Sequence, residues 1–429
     1  MDFSRRSLVF GAGALGLLGP AARARAGGAR RVVVVLANGG WDVSFCMDPK
    51  EGSEEIDGPE LDEEADDPDD REALQTFSGI PIMTNAVKRP AVTTFFERWG
   101  SQTVVHNGIH VGSIVHDFCR YHMLTGTGSP LNPDFAAITG AVHGADRPLG
   151  SVDTSGLSLS GPLAATTGRV GARGQLTMLL DPVGSTLQAP AFTGYSYPGF
   201  VPNASEQALL ETFLAGRAEV MERSSGGHPN SAAKFAALAE SASRAERLRE
   251  DTDLVVGDIV LGAQPTLSDT IDLTVGLLAR DTCRAITLDS GSIWDTHTKN
   301  SLQHGNYQQM FTALNGLLDG LSAEGLLSDT LVVVVSEMTR TPRMNADLGK
   351  DHWPHTSALL IGAGVSGGRV VGATTETLES LPVDFATGLA TPNGSLCKHD
   401  NFVAGVLKML EIDPGEWLPG VEPFLGATV

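Results

Sequence analysis

The 429-residue chain is short of several things, and each shortage removes a class of function. It carries 30 Lys and Arg against 51 Asp and Glu, a formal charge of −21. Nothing here can neutralise a row of phosphates, so nucleic acid is excluded as a partner. The four cysteines, at 46, 119, 283 and 397, show neither C-x-x-C spacing nor dense pairing. An oxidising compartment permits a disulfide, spacing does not choose among the connectivities, and buried free thiols are expected for most of the four. Beyond the N-terminal segment no apolar run approaches the ~18–20 residues of a bilayer span, so the mature chain should carry none. No G-x-G-x-x-G and no Walker loop follows the first strand, which leaves a nucleotide fold without motif support. At 41% hydrophobic the chain is not mostly disordered.

What is present begins with a segment that reads as an address. Ser4-Arg5-Arg6-Ser7-Leu8-Val9 sets two adjacent arginines before an apolar stretch from Leu8 to Leu18. Pro20 breaks that stretch, and Ala24 and Ala26 offer an A-x-A cleavage site before Gly27. Residues 1–26 therefore read as a twin-arginine signal peptide, which places the protein in the periplasm or at the cell surface. The remaining residues, 27–429, exceed the ~250–300 at which a single core stops growing, so one large domain with insertions, or two domains, is expected. Residues 51–72 are almost wholly acidic and polar and read as a mobile surface insertion.

The rest alternates strands with helices. Val32 to Leu36 is a continuous β-branched run ending at Gly39-Gly40, the pattern of a strand buried on both faces. Further strands are expected at 102–107, 284–288, 330–335 and 358–362. Phe95 to Trp99 reads as a helix end stopped by Gly100, Tyr307 to Leu321 as a helix, and residues 205–250 as helical. The expected architecture is α/β with a mainly parallel central sheet, and residues 150–260 form a helical cap or insertion.

Chemistry-bearing residues stand at the strand ends. Asp42 follows the first strand; His106, His110, Ser113 and His116 follow the second; Asp289, Asp295 and His297 follow the third; Glu337 and Arg340 follow the fourth; Asp351, His352 and His355 precede the fifth. Strand C-termini of such a sheet face one crevice, so these groups can converge. Carboxylates and imidazoles are the ligands of zinc, manganese or iron.

These residues carry a resemblance. Gly39-Gly40-x-Asp42, Trp294-Asp295-Thr296-His297, Ser336-Glu337-x-x-Arg340, Asp351-His352 and Ala363-x-x-x-Gly367-Gly368 resemble the exported family called domain of unknown function 1501 (DUF1501), a branch of the alkaline phosphatase and sulfatase superfamily. The resemblance implies an alkaline-phosphatase-like three-layer fold. It implies that Asp42 binds the metal beside the nucleophile, with Glu337 as a further ligand and Met338 replacing the usual histidine. Asp295 and His297 resemble the acid and histidine of a second metal, with shortened spacing. His355, with His352 as its alternative, resembles that metal's last histidine, and Asp289 lies near a further acidic ligand.

In that superfamily a hydroxyl or thiol nucleophile lies about three helical turns before the glycine of a Thr-Gly pair. Counting back from Thr125-Gly126 lands on His116, with Ser113 one turn away. Three readings stay open: His116 replaces the missing ligand, His116 is itself the nucleophile, or the site has lost its chemistry. Under the first, Asp42, His116 and Glu337 hold one ion, and Asp295, His297 and His355 or His352 hold the other. Metal-bound hydroxide then attacks directly, and Arg340 pairs with an anionic substrate group. The function implied is an exported hydrolase of phosphate or sulfate esters using one or two divalent ions, zinc or manganese. Its partner is a small anionic ester; a non-catalytic scaffold for a periplasmic protein partner is the alternative.

Overall fold

Why the β-branched runs become strands buried on both faces is visible in where alternate side chains go. The structure, a computed structural model, describes residues 29–59, 70–169 and 267–428, with scattered positions between 187 and 248. Eight strands form the main sheet: β1 (Arg31–Leu36), β2 (Thr103–His110), β3 (Ser151–Asp153), β4 (Thr167–Arg169), β5 (Ala285–Asp289), β6 (Thr330–Val335), β7 (His355–Gly362) and β8 (Arg369–Val371). Their order is β8-β2-β7-β6-β1-β5-β3-β4. Every neighbouring pair is parallel except those made by β7, which runs against both β6 and β2. The α/β class with a mainly parallel central sheet is therefore present.

Side chains alternate across the sheet as the pleat requires. Val33, Val35, Val332, Val334, Ile286 and Leu288 pack into one core, with helices α1 (Pro90–Trp99), α4 (Leu267–Ala279) and α5 (Leu302–Ala323). Val32, Val34, Leu36, Leu331, Val333 and Val335 pack into the other, with α2 (His116–Thr125), α3 (Phe135–His143) and α6 (His399–Met409). Three layers result, and a run of valines with no polar interruption is what a strand covered on both sides needs.

The expected strands are all present, the second and fifth longer than read and the fifth antiparallel. β3 and β4 stand at the sheet's edge, within the start of the stretch expected to be a cap; three-residue strands are too short to show a period. The helix read at 205–250 lies outside the described residues apart from scattered positions, as does the signal segment. Of the acidic stretch, residues 60–69 also lie outside them. Its last residue, Glu72, begins a hairpin of Glu72–Phe77 with Ile80–Asn85, and its side chain is buried against Arg89. All four cysteines are buried and free. No described helix is long and apolar enough to cross a membrane.

Candidate metal centre

The C-terminal ends of β1, β2, β5 and β6 and the start of β7 meet at one end of the sheet, which is where a parallel sheet delivers its loops. The turn after β1 is a Gly-Gly pair for steric reasons. Gly39 has φ +124°, and a Cβ there would lie 2.7 Å from the backbone nitrogen of Asp295. Its own N–H donates to Glu337 Oε1 at 2.8 Å. Gly40 (φ +89°) lies against the Arg340 guanidinium. The loop after β1 is thereby clamped between the loops after β5 and β6. Beneath it, Trp41 stacks on Tyr307 and meets Trp294 edge-on.

Upon this floor the Asp295 carboxylate is surrounded by imidazoles. His297 Nε2 and His352 Nε2 each lie 3.2 Å from Asp295 Oδ1, and His116 Nε2 lies 3.5 Å from Oδ2. The two nitrogens of His297 and His352 are 3.0 Å apart. Among the described residues, His116, Asp295 and His352 are the one group of three whose ligand atoms all fall within 4.8 Å of one another, and His297 adjoins them.

What holds these rings matters as much as where they point. His116 Nδ1 is 2.7 Å from Glu337 Oε1, His297 Nδ1 is 2.8 Å from Asp351 Oδ1, and His352 Nδ1 is 2.8 Å from the Ile114 carbonyl. Each acceptor takes the hydrogen of Nδ1, so in the neutral ring Nε2 is the nitrogen free to act as a ligand. The three Nε2 atoms face one region, where those of His297 and His352 meet each other and that of His352 meets Asp295 Oδ1, while the buried His116 Nε2 makes no hydrogen bond of its own. Metal-binding histidines are oriented in this way, by a carboxylate or carbonyl on the far nitrogen. The hydrogen bond from Glu337 lifts the pKa of His116 above its usual value, against the opposing effect of burial. Burial pushes Asp295 up, but the hydrogen bond and charge of Arg340 outweigh it and hold the carboxyl below its usual range. This donor set of three imidazoles and one carboxylate fits a divalent ion such as zinc or manganese.

The other expected site residues lie outside this group. Asp42 is wholly buried, and its Oδ2 is 2.7 Å from Lys350 Nζ and accepts from Asn300 Nδ2 at 2.8 Å. Its charge is met by an ammonium rather than by the expected grouping with His116 and Glu337, and His116 lies beside Asp295 instead. Glu337 reaches His116 through Nδ1, on the side of the ring away from Asp295, and orients it. Arg340 does not face a substrate: it is wholly buried and donates to the carbonyls of Gly39, Gly40 and Lys350 and to Asp295 Oδ1. His355 pairs with Ser380 Oγ at 2.7 Å and lies beside His110, with burial pushing its pKa down to about 4. Asp289 Oδ1 accepts from Gly291, and burial raises its pKa. Ser113 Oγ accepts the Val115 N–H at 3.2 Å, forming the turn that leads into α2.

Asp351, read as chemistry from its place before the fifth strand, orients His297. One contributor was not readable as such: Lys350 sits in a polar loop, Asn345 to Asp351, that reads as solvated, and nothing there announces burial.

The family described as a protein of unknown function (DUF1501) matches residues 29–387. No curated protein matches the sequence. Among solved structures, the chain is 8% identical to the lipoteichoic acid synthase LtaP from Listeria monocytogenes, spanning 94% of this chain and 77% of that one at a TM-score of 0.38. It is 11% identical to a mutant TAB5 alkaline phosphatase with Mg bound, spanning 91% and 100% at 0.38. It is also 11% identical to the phosphonate monoester hydrolase of Agrobacterium radiobacter, spanning 92% and 78% at 0.32.

Proposed function

The chain belongs to the DUF1501 family, and we propose that it is an exported, metal-dependent hydrolase of phosphate or sulfate esters. The observation that carries this reading is the three Nε2 atoms that surround the Asp295 carboxylate while each Nδ1 is held by an acceptor. His116, Asp295, His297 and His352 would hold the ion. A divalent ion bound there supplies Lewis-acid polarisation of an ester oxygen and lowers the pKa of water in its coordination sphere.

The protein's own groups supply orientation. Glu337, fixed by Gly39 N–H and Ser336 Oγ, holds the His116 ring by its Nδ1 side. Arg340 pins Asp295 to the Gly39-Gly40 turn, so the carboxylate keeps its direction as charge develops beside it. Ser113 Oγ is taken up in the turn that leads into α2, and water is the nucleophile in this reading. The small anionic ester enters from the open side, where Asp295 and His297 are exposed to solvent.

Metal analysis of the purified protein, paired with turnover of generic aryl phosphate and sulfate esters before and after chelation, tests this. The expected result is a stoichiometric divalent ion and a hydrolysis lost on chelation and restored by zinc or manganese. A protein that binds no such ion contradicts the reading.

A further inference from the structure

The end of α2 meets the start of α6 through two imidazoles outside the metal centre. His122, in the last turn of α2, lies face to face with His399, the first residue of α6. Their ring centroids are 4.0 Å apart and their planes 7° from parallel. His122 Nδ1 donates to the Val111 carbonyl at 2.8 Å, which ties the helix back to the segment leading into it. His399 Nδ1 is buried and makes no hydrogen bond among the described residues. A Cβ at Gly128 would come within 3.3 Å of His122 Nε2, so the loop after α2 lies close against the pair.

Neutral rings stack favourably, whereas two imidazolium rings at this separation repel. His399 is poorly placed for a charge on a second count, because the first residue of a helix sits at the positive end of its dipole. Facing the pair are His110 at the end of β2, bridged to Lys398, and Lys398 and Asp400 on either side of His399. Arg120 on α2 is paired with Asp117. Burial, and then the neighbouring His122, push the His399 pKa from 6.5 down to about 4. Asp400 and the carbonyls of His110 and Val111 offset this only in part.

We infer that the His122–His399 stack is an acid-sensitive joint, closed while the pair is short of protons and opened by acid, which frees the last turn of α2 from α6. The same ten-residue helix begins at His116, so the joint acts on an element of the imidazole cluster, and it stands whether or not that cluster holds an ion. An opened joint gives His399 the proton affinity of an ordinary imidazole. Below pH 6.5 each unit of acidification therefore favours opening about tenfold, until the closed form itself takes up the proton near pH 4. Over those two and a half units the opening equilibrium rises about 300-fold.

Hydrogen exchange of the full-length protein between pH 7 and pH 4 tests this, expressed as protection factors so that the intrinsic pH dependence of exchange cancels. The amides of Met123 to Gly126 are expected to lose protection by about that 300-fold factor, while those of β1 and β6 keep theirs. His399→Phe leaves an aromatic ring in the stack that cannot take a proton, and its α2 amides should stay protected over the same range. His399→Gln serves the same purpose should the Phe variant not fold. Wild type and variants share His116, so any loosening caused by loss of an ion from the cluster is common to them and drops out of the comparison. Unchanged protection of α2 in the wild type overturns the inference. So does a loss that runs equally through β1 and β6, or a folded His399 variant that loses protection in step with the wild type.

Discussion

Two charged clusters lie at the same end of the sheet, joined through Arg340, and they are built in opposite ways. Around Asp42 every charge is answered from within: Lys350, Asn300 and Ser44 meet the carboxylate, and water is excluded. Around Asp295 the groups are held from behind and left open in front. The imidazoles are tied at Nδ1 and turn their Nε2 atoms towards one another and towards Asp295, with the buried His116 Nε2 left unmet. Buried polar groups are normally satisfied, so an unmet imidazole nitrogen aimed at a carboxylate fits a place where a ligand completes the structure. In the reading proposed above, the first cluster contributes to the fold and the second is arranged for chemistry.

Substitutions separate the two, beginning with the largest effect. His352→Ala or His116→Ala should abolish stoichiometric metal binding, read by metal analysis, while the metal-free protein keeps its fold. A variant that still holds a full equivalent of ion would place the ion elsewhere. Lys350→Met should do the reverse. It leaves Asp42 buried and uncompensated, at a cost of about 3–5 kcal/mol, whereas pairing it with Asp42→Asn should recover most of that loss. Denaturant unfolding of the single and double variants checks this, and equal losses in both would break the contrast.

Glu337→Gln comes next. It keeps an acceptor for His116 Nδ1 but removes the charge that supports the ring, which should weaken metal affinity about 10–100-fold. Competition against a chelator of known affinity measures it, and an unchanged affinity would mean that Glu337 acts only on the fold.

The last prediction concerns a sealed imidazole, away from both clusters. His106 is wholly buried, stacked on Phe424 at 4.2 Å, with neither ring nitrogen hydrogen-bonded. Burial pushes its pKa from 6.5 down to about 3. Below pH 6.5 the unfolded chain takes up a proton that the folded protein refuses. Stability is therefore full above that pH and falls between 6.5 and about 3, by about 1.4 kcal/mol per pH unit for this group. His106→Phe should flatten the acid limb of the stability profile by one proton's slope. Denaturant midpoints across that pH range test it, and an unchanged slope would mean that His106 is not the group being titrated.

How much of this was written in the sequence depends on the length scale of the signal. The valine runs at 32–35 and 332–335 announce doubly covered strands, because only such strands tolerate no polar residue on either face. The direction of β7 was not legible, since a buried strand looks the same either way. Asp295, His297, His352 and His116 were readable as chemistry from their places at strand ends. Their grouping was not, because strand-end positions fix an edge of the sheet but not which loop crosses to which. Asp42 and Arg340 misled for a related reason. A carboxylate and a guanidinium at strand ends look functional until their partners are known, and those partners are backbone carbonyls and a lysine from a distant loop.

The central claim is that the ion sits on the open cluster and not on the sealed one. Anomalous diffraction from crystals of the full-length wild-type protein loaded with zinc or manganese tests it most directly. The account predicts one peak, within bonding distance of His116 Nε2, His352 Nε2 and the Asp295 carboxylate. A peak on Asp42, or none at the imidazoles, would contradict it.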